Sequence, residues 1–330
     1  MKIKTAAWIS VLMALTTILT VSQVAAQQGS GASYPDRPIK LVVPYPPGGS
    51  TDPAARLLAA DIGTRLGQPV VVDNRPGAAG AIGTEAVVRA APDGYTLLLH
   101  TSVISTDPTL KKNASYDIKR DLVPVSLAVT GPYLMVVNPT LPVRNVGELI
   151  AYARAHPGKV NFGSAGQGSS GHLIGELFKK AAGIDMVHVP YKGGGPSIAG
   201  LVGNEVQLVF DTFGGSRSLV EAGKLRAIAV TSPERSGLMP EIPTVMESGL
   251  KDFSAVYWLG IFAPAKTPQA VVDKLYRVLK GSLDSPAVRS RMMDQGNVPQ
   301  GLSPSEFARV LDGDIQRYRS IIESARITID

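Results

Sequence analysis

Short apolar runs that stop in glycine- or proline-rich loops, each followed by a stretch with helical spacing, recur along most of this chain. Ile39, Leu41, Val42 and Val43 form the first run, which ends in Pro44-Tyr45-Pro46-Pro47-Gly48-Gly49. Residues 54–66 then place Ala55, Leu58, Ala59, Ile62 and Leu66 on one helical face. Strands follow at 70–72 and 95–99, with a helix at 82–90 between them. Such alternation predicts βαβ units around a mainly parallel sheet with both faces covered. The pattern restarts with strands at 134–137, 160–162, 187–189, 206–210 and 225–230. Helices fall between them at 172–182, 198–202 and around Leu219. Asn145 with Glu148 three residues on predicts a helix start. From Pro268 onward the spacing is read as helical only, at 269–283, 286–295 and 303–325, a tail expected to return and cover the first sheet. The chain's 330 residues suit two such α/β units, with crossings expected near Gly131-Pro132 and at 254–257.

The N-terminus belongs to neither unit. Lys2 and Lys4 precede an apolar run over 8–21, and Val24-Ala25-Ala26 has the small residues of a cleavage site. This predicts a secretory signal peptide over 1–26, cleaved near Ala26, with 27–34 as a flexible lead-in. The run is short for a membrane span, which takes about 20 apolar residues. The absence of cysteine excludes disulfides, thiolate metal sites and cysteine nucleophiles, and four histidines without ligand spacing predict no metal centre. The formal charge of +6 includes the two leader lysines, and no basic stripe stands out, so no nucleic-acid partner is expected.

Four glycine-rich loops each lie between a predicted strand and a predicted helix: 44–52, 74–83, 163–171 and 191–197. In an open α/β sheet, ligands bind at the carboxyl ends of strands, where such loops lie. Free N–H groups and the helix dipole there favour anions. Ser50, Thr51, Ser164, Ser169 and Ser170 add neutral hydroxyl donors. Together they suit a carboxylate or phosphate held without Lys or Arg. Tight βα turns need glycine in any case, so one loop alone carries little weight.

Several sharper patterns fail. Gly166-Gln167-Gly168-Ser169-Ser170-Gly171 matches a dinucleotide fingerprint, but the acid that follows, Asp185, starts a strand instead of ending one. No nucleotide cofactor is therefore expected. No G-x-S-x-G elbow surrounds Ser164, Ser169 or Ser170. His172 near Ser169 leaves a secreted serine hydrolase as an alternative, and an interaction or sensor module as another. Asp52 with Arg56 reads as a helix-start cap and an i,i+4 pair. Asp211, at the end of an apolar strand, is placed either against a ligand or bound water or as a cap near Ser216. Tyr45, Tyr191, Phe213, Tyr257 and Trp258 read as core aromatics near loops.

A set of motifs occurs in order along the mature chain: Tyr34-Pro35-Asp36-Arg37-Pro38-Ile39, Pro44 to Asp52, Asn74-Arg75-Pro76-Gly77, Pro92-Asp93-Gly94-Tyr95-Thr96-Leu97, Val189-Pro190-Tyr191-Lys192-Gly193 and Ala222-Gly223-Lys224-Leu225-Arg226-Ala227. With the leader, this resembles the Bug family of periplasmic solute-binding proteins, receptors of tripartite tricarboxylate transporters. The resemblance implies a two-lobe periplasmic-binding-protein-like α/β fold, each lobe a mainly parallel sheet flanked by helices, with a ligand cleft between them. Lobe 1 is then 35–131 plus 256–330, and lobe 2 is 132–255. It also implies no catalytic activity and no cofactor. The implied ligand is a small organic carboxylate: a di- or tricarboxylate, an acidic amino acid or an aromatic acid. Its contacts carry over onto Tyr45, Gly48, Gly49, Ser50, Thr51, Asp52 and Gly77, and onto Ser164, Ala165, Gly166, Ser169, Ser170 and Asp211. The implied partners are a membrane transporter of two membrane subunits or a sensor kinase, served by a soluble periplasmic monomer. Ala79, Tyr318 and the stretch 101–107 depart from the family's usual residues.

Overall fold

The computed structural model describes residues 34–48, 51–111 and 114–328. The signal-peptide segment, nearly all of the lead-in, and Gly49 and Ser50 of the first loop lie outside the described residues.

The first α/β run gives β1 (Ile39–Val43), α1 (Asp52–Leu66), β2 (Val70–Asn74), a 3-10 turn (Ala78–Gly80), α2 (Ala81–Val88) and β3 (Thr96–Thr101). A second 3-10 turn (Ser102–Thr106) leads to the short helices α3 (Asp107–Leu110) and α4 (Ile118–Asp121), then to β4 (Leu122–Val137). The second run comprises α5 (Val146–Ala155), β5 (Asn161–Ser164), α6 (Ser170–Ala182), β6 (Val187–Pro190) and α7 (Gly194–Val202). It continues through β7 (Leu208–Thr212), α8 (Phe213–Glu221) and β8 (Arg226–Val230). The chain returns along β9 (Val256–Pro264) and ends with α9 (Gln269–Asp284), α10 (Pro286–Asp294), β10 (Val298–Leu302) and α11 (Pro304–Ser324).

The strands run in the order β2-β1-β3-β9-β4-β7-β5-β6, with β8 and β10 also pairing with β4. The expected parallel pairs form: β1 with β2 and β3, and β5 with β6 and β7. The central strands β4 and β9 pair antiparallel with each other, β9 with β3, and β4 with β7, β8 and β10. The result is a curled mixed α/β sheet. Up to Pro132, β4 pairs with β9 and β10; from Tyr133 it pairs with β7 and β8. Thr231 secures this transition: its Oγ1 accepts from Tyr133 N–H at 2.9 Å and donates to Ala255 O at 2.5 Å.

Alternating side chains put each strand in contact with both faces. Ile39, Leu41 and Val43 pack with Leu58, Leu275 and Leu279 from α1 and α9. Val42 points the other way, into a cluster with Val87, Trp258, Phe307 and Leu311. In the second half, Met135 and Phe162 pack under α5 and α6, while Leu134 and Val209 pack under α7 and α8. α6 sits very close to β5, because a Cβ at Gly175 would overlap the Phe162 ring.

Two expectations need correction. The tail is not helical only, because β10 adds an edge strand to β4. Its Pro299 and Gly301 mask the strand in the sequence, and the register shifts between Pro299 and Leu302. The segment 254–257 is not merely a crossing: it opens β9, whose residues from Tyr257 to Pro264 are all buried. The first twelve residues of β4, Leu122 to Tyr133, are hidden in the same way. Pro124 sits beside a register shift and Pro132 at the end of the β9 pairing, places where a sheet tolerates proline.

Candidate functional site

The first loop is organised around Asp52. Its Oδ2 accepts from Gly48 N–H at 3.1 Å and Arg56 Nε at 2.9 Å, and its Oδ1 accepts from Asn74 Nδ2 at 3.0 Å. Burial alone would push this carboxyl up, but these donors hold it below the usual carboxylate range. Its oxygens are occupied by the chain itself, so Asp52 shapes the loop and ties it to the end of β2. Thr51 is buried as the N-cap of α1, without a side-chain cap bond. Tyr45 reaches across to the end of β3, with Oη 2.7 Å from Thr101 Oγ1 and 3.3 Å from His100 Nδ1. Gly77 opens the neighbouring turn in an extended, positive-φ conformation, where a Cβ would lie 2.5 Å from Ile82 Cδ1.

The third loop joins β5 to α6. Ser164 is fully buried, and its hydroxyl bonds to Gly166 N–H at 3.1 Å, Gly166 O at 3.0 Å and His188 Nε2 at 2.7 Å. Gly166 (φ +130) and Gly168 (φ +73) take conformations that a side chain rarely adopts. Gly168 N–H donates to His172 Nδ1 at 3.1 Å. Ala165 is exposed and lines the mouth of the loop. Ser169 is the N-cap of α6, yet it makes no side-chain cap bond, and its buried Oγ has no hydrogen-bond partner. Leu173 N–H closes the first helical turn on Ser169 O at 3.0 Å. The N–H groups of Ser170, Gly171 and His172 therefore precede the helix's own bonds.

Asp211 lies at the end of β7. Ser216 Oγ donates to its Oδ2 and Thr212 N–H assists, but burial dominates and pushes the carboxyl up. Gly215 is required there, because a Cβ would overlap Asp211 Oδ2. Of the two roles expected for Asp211, the contact with Ser216 forms, at the end of the strand.

The sequence gives no sign that Tyr133 stands beside the Ser170 hydroxyl. Tyr133, just past Gly131-Pro132, faces the Ser170 hydroxyl, and Tyr318, Tyr257 and Tyr45 are near enough to act on it electrostatically. Burial pushes all four phenols up, Tyr318 to about 12. The Tyr133 and Tyr257 rings meet edge to face at 5.4 Å. Only a knowledge of which strands cross at Gly131 could have brought these phenols together. His188 stacks on His172 with ring centroids 3.7 Å apart. Burial pushes His172 and His100 each down to about 3, and His188 to about 4.

Apart from Arg56, which is paired with Asp52, the donors of these loops are neutral: backbone N–H, the Asn74 amide, serine and threonine hydroxyls, and phenols. No group of three or more metal-ligating acids and histidines occurs among the described residues. Ser169 Oγ bonds to nothing, so it forms no hydrogen bond with His172 of the kind a serine nucleophile uses. The arrangement suits binding of an anion at a helix N-terminus.

A family model described as the tripartite tricarboxylate transporter family receptor matches residues 54–327. Protein BugT of Bordetella pertussis is 38% identical over 313 residues, 94% of this chain and 96% of that protein. Among solved structures, R. palustris Rpa4515 with adipate has a TM-score of 0.81 at 35% identity, covering 89% of this chain and 99% of that one. MatC from Rhodopseudomonas palustris with bound malate has a TM-score of 0.76 at 31% identity, covering 88% and 100%. With the family's motifs, fold and full-length relatives all present, this chain belongs to the tripartite tricarboxylate transporter receptor family, whose Bug members are solute-binding proteins.

Proposed function

We propose that this protein is a periplasmic receptor that captures a small organic carboxylate by closure of two lobes and delivers it to a tripartite tricarboxylate-type transporter. The observation that carries this reading is the unpartnered Ser169 hydroxyl at the start of α6, beside first-turn amides. The two lobes are 35–131 with 256–330, and 132–255. The change of β4's partners between Pro132 and Tyr133 supports that division. The adipate and malate bound to the two related structures favour a dicarboxylate within the wider class of di- and tricarboxylates, acidic amino acids and aromatic acids. One carboxylate meets Ser164 to Ser170 and the start of α6, with Asp211 accepting from a ligand hydroxyl, amine or bound water. The other end meets the loop from Tyr45 to Asp52, beside Gly77. The receptor acts as a soluble monomer after removal of residues 1–26. Its partner is a transporter with two membrane subunits, or a sensor kinase. Its role is binding, without catalysis or cofactor.

A thermal-shift series on the refolded, ligand-free protein tests this. Adipate and malate are compared with their diamides. A ligand at about 1,000 times Kd adds roughly 4 kcal/mol, a rise of several degrees in Tm. A shift with a diacid and none with its diamide is the expected result. Equal shifts from acid and amide would overturn carboxylate recognition.

A further inference from the structure

The loop between β5 and α6 contains Gly166 and Gly168, with Gly163 and Gly171 just inside the flanking elements, and such a backbone is costly to hold in one shape. Two imidazoles hold it. His172 Nδ1 accepts from Gly168 N–H at 3.1 Å, which requires a neutral ring with its proton on Nε2. His188 Nε2 lies 2.7 Å from Ser164 Oγ, the atom that also engages Gly166 N–H and Gly166 O. With His188 Nε2–H donating, the Ser164 hydroxyl uses its single proton on Gly166 O and its two lone pairs on His188 and Gly166 N–H. The rings stack at 3.7 Å and 6°, and Phe162 lies 5.0 Å beyond His188. The stack therefore joins Gly166 on one side to Gly168 on the other. His172 is itself only 3% exposed. The charge acting on both rings is Lys179 of α6, paired with Glu176 at 2.9 Å.

We propose that His172 and His188 are the positioning residues of carboxylate binding in this protein. As a stacked neutral pair, they turn the Gly166 and Gly168 amides inward and so aim the Ser169 hydroxyl and the first-turn amides of α6 at the anion. This rests on the carboxylate reading for its consequence in affinity, but not for its consequence in the free loop. A fixed loop spares the ligand the cost of ordering it.

Three variants separate the parts of this device. His172→Phe keeps a stacking ring and removes the acceptor. His172→Asn restores an acceptor near the position of Nδ1. His188→Gln retains a polar group near Nε2. The first readout needs no ligand: hydrogen exchange of the Gly168 and Ser169 amides, with 15N shifts of the His172 ring in the wild type. The expected result is a Nε2–H tautomer, exchange at least tenfold faster in the Phe variant, and wild-type exchange in the Asn and Gln variants. The second readout is adipate affinity by calorimetry at pH 7.5. The Phe variant should weaken it about tenfold, equivalent to about 1.4 kcal/mol, with Tm within about two degrees of wild type. The Asn variant should return to within about threefold. A Nδ1–H tautomer in the wild type, unchanged exchange in the Phe variant, or an Asn variant as impaired as Phe would each overturn the proposal. If the wild type binds no adipate at all, the ligand assignment fails, and the exchange comparison alone decides the positioning role.

Discussion

Replacing His172 by asparagine should flatten the acid side of this protein's stability profile. An imidazole free in an unfolded chain titrates near 6.5. Burial holds His172 in the folded protein at about 3. A histidine with a depressed folded value contributes nothing adverse above its unfolded pKa. Below that value the unfolded chain binds a proton that the native state does not, so stability falls as pH drops toward the folded value. At pH 5 the difference for one such group is about 2 kcal/mol, from 1.5 pH units below 6.5 at 1.36 kcal/mol each. That is large against a total stability of about 5–15 kcal/mol. Asp107, Asp211 and Asp314 act in the opposite direction: burial raises each, so their native forms take up protons early and gain stability as pH falls. His100 and His188 add losses of the same sign as His172. All five groups are retained in the variant, so the comparison of wild type with His172→Asn isolates one ring. Urea unfolding at pH 7.5 and pH 5.0 measures it. The wild type should lose about 2 kcal/mol more than the variant across that interval. Equal losses would show that His172 is free to protonate in the native state, and the neutral stack would then be wrong.

The other expectations concern the site and the crossing. Asp211→Ala and Ser170→Ala should each weaken dicarboxylate binding about tenfold by calorimetry while leaving the circular-dichroism spectrum unchanged. Binding at wild-type strength in both would remove the end of β7 and the start of α6 from the site. Gly215→Ala puts a methyl group onto Asp211 Oδ2, so it should mimic the loss of Asp211 in affinity. Gly131→Ala drives a Cβ into the Tyr257 ring at the strand crossing, an overpacking that costs about 1–3 kcal/mol in urea unfolding. An unchanged midpoint would mean that the crossing is loosely packed.

The parts of the fold visible in the sequence are those whose local pattern agrees with their tertiary role. β1, α1, β5 and α6 each show a clear period bounded by glycine or proline, and each forms. Asn145 caps α5 as its spacing predicts, accepting from Glu148 N–H at 2.8 Å. The central strands were illegible for a physical reason. β4 carries Pro124 and Pro132 where bulges and a change of partner accommodate them, and no local signal distinguishes that from a loop. β9 is buried on both faces, so it lacks the alternation that marks a strand. The glycine loops and their serines were legible because backbone and hydroxyl chemistry is local. Tyr133 and the histidine pair were not, since Tyr133 meets Ser170, and His188 meets His172, only after strands separated in sequence have paired.

One consequence of this geometry concerns how a ligand held by neutral donors reaches the rest of the molecule. α6 starts at Ser170 in the anion loop and continues through Leu173 and Leu177. Those residues pack against Tyr318, Ile321 and Ile322 of α11, which belongs to the C-terminal return. The helix whose N-terminus is proposed to receive the carboxylate is therefore also in contact with the C-terminal return. Its rigidity comes from the close seat of Gly175 on Phe162 and from the histidine stack beneath its first turn. An anion at its start would meet the positive end of the helix dipole and the free first-turn amides, without a lysine or arginine. Amides, hydroxyls and phenols bind an anion more strongly where water is excluded around them, so on the proposed reading affinity rises as the cleft closes.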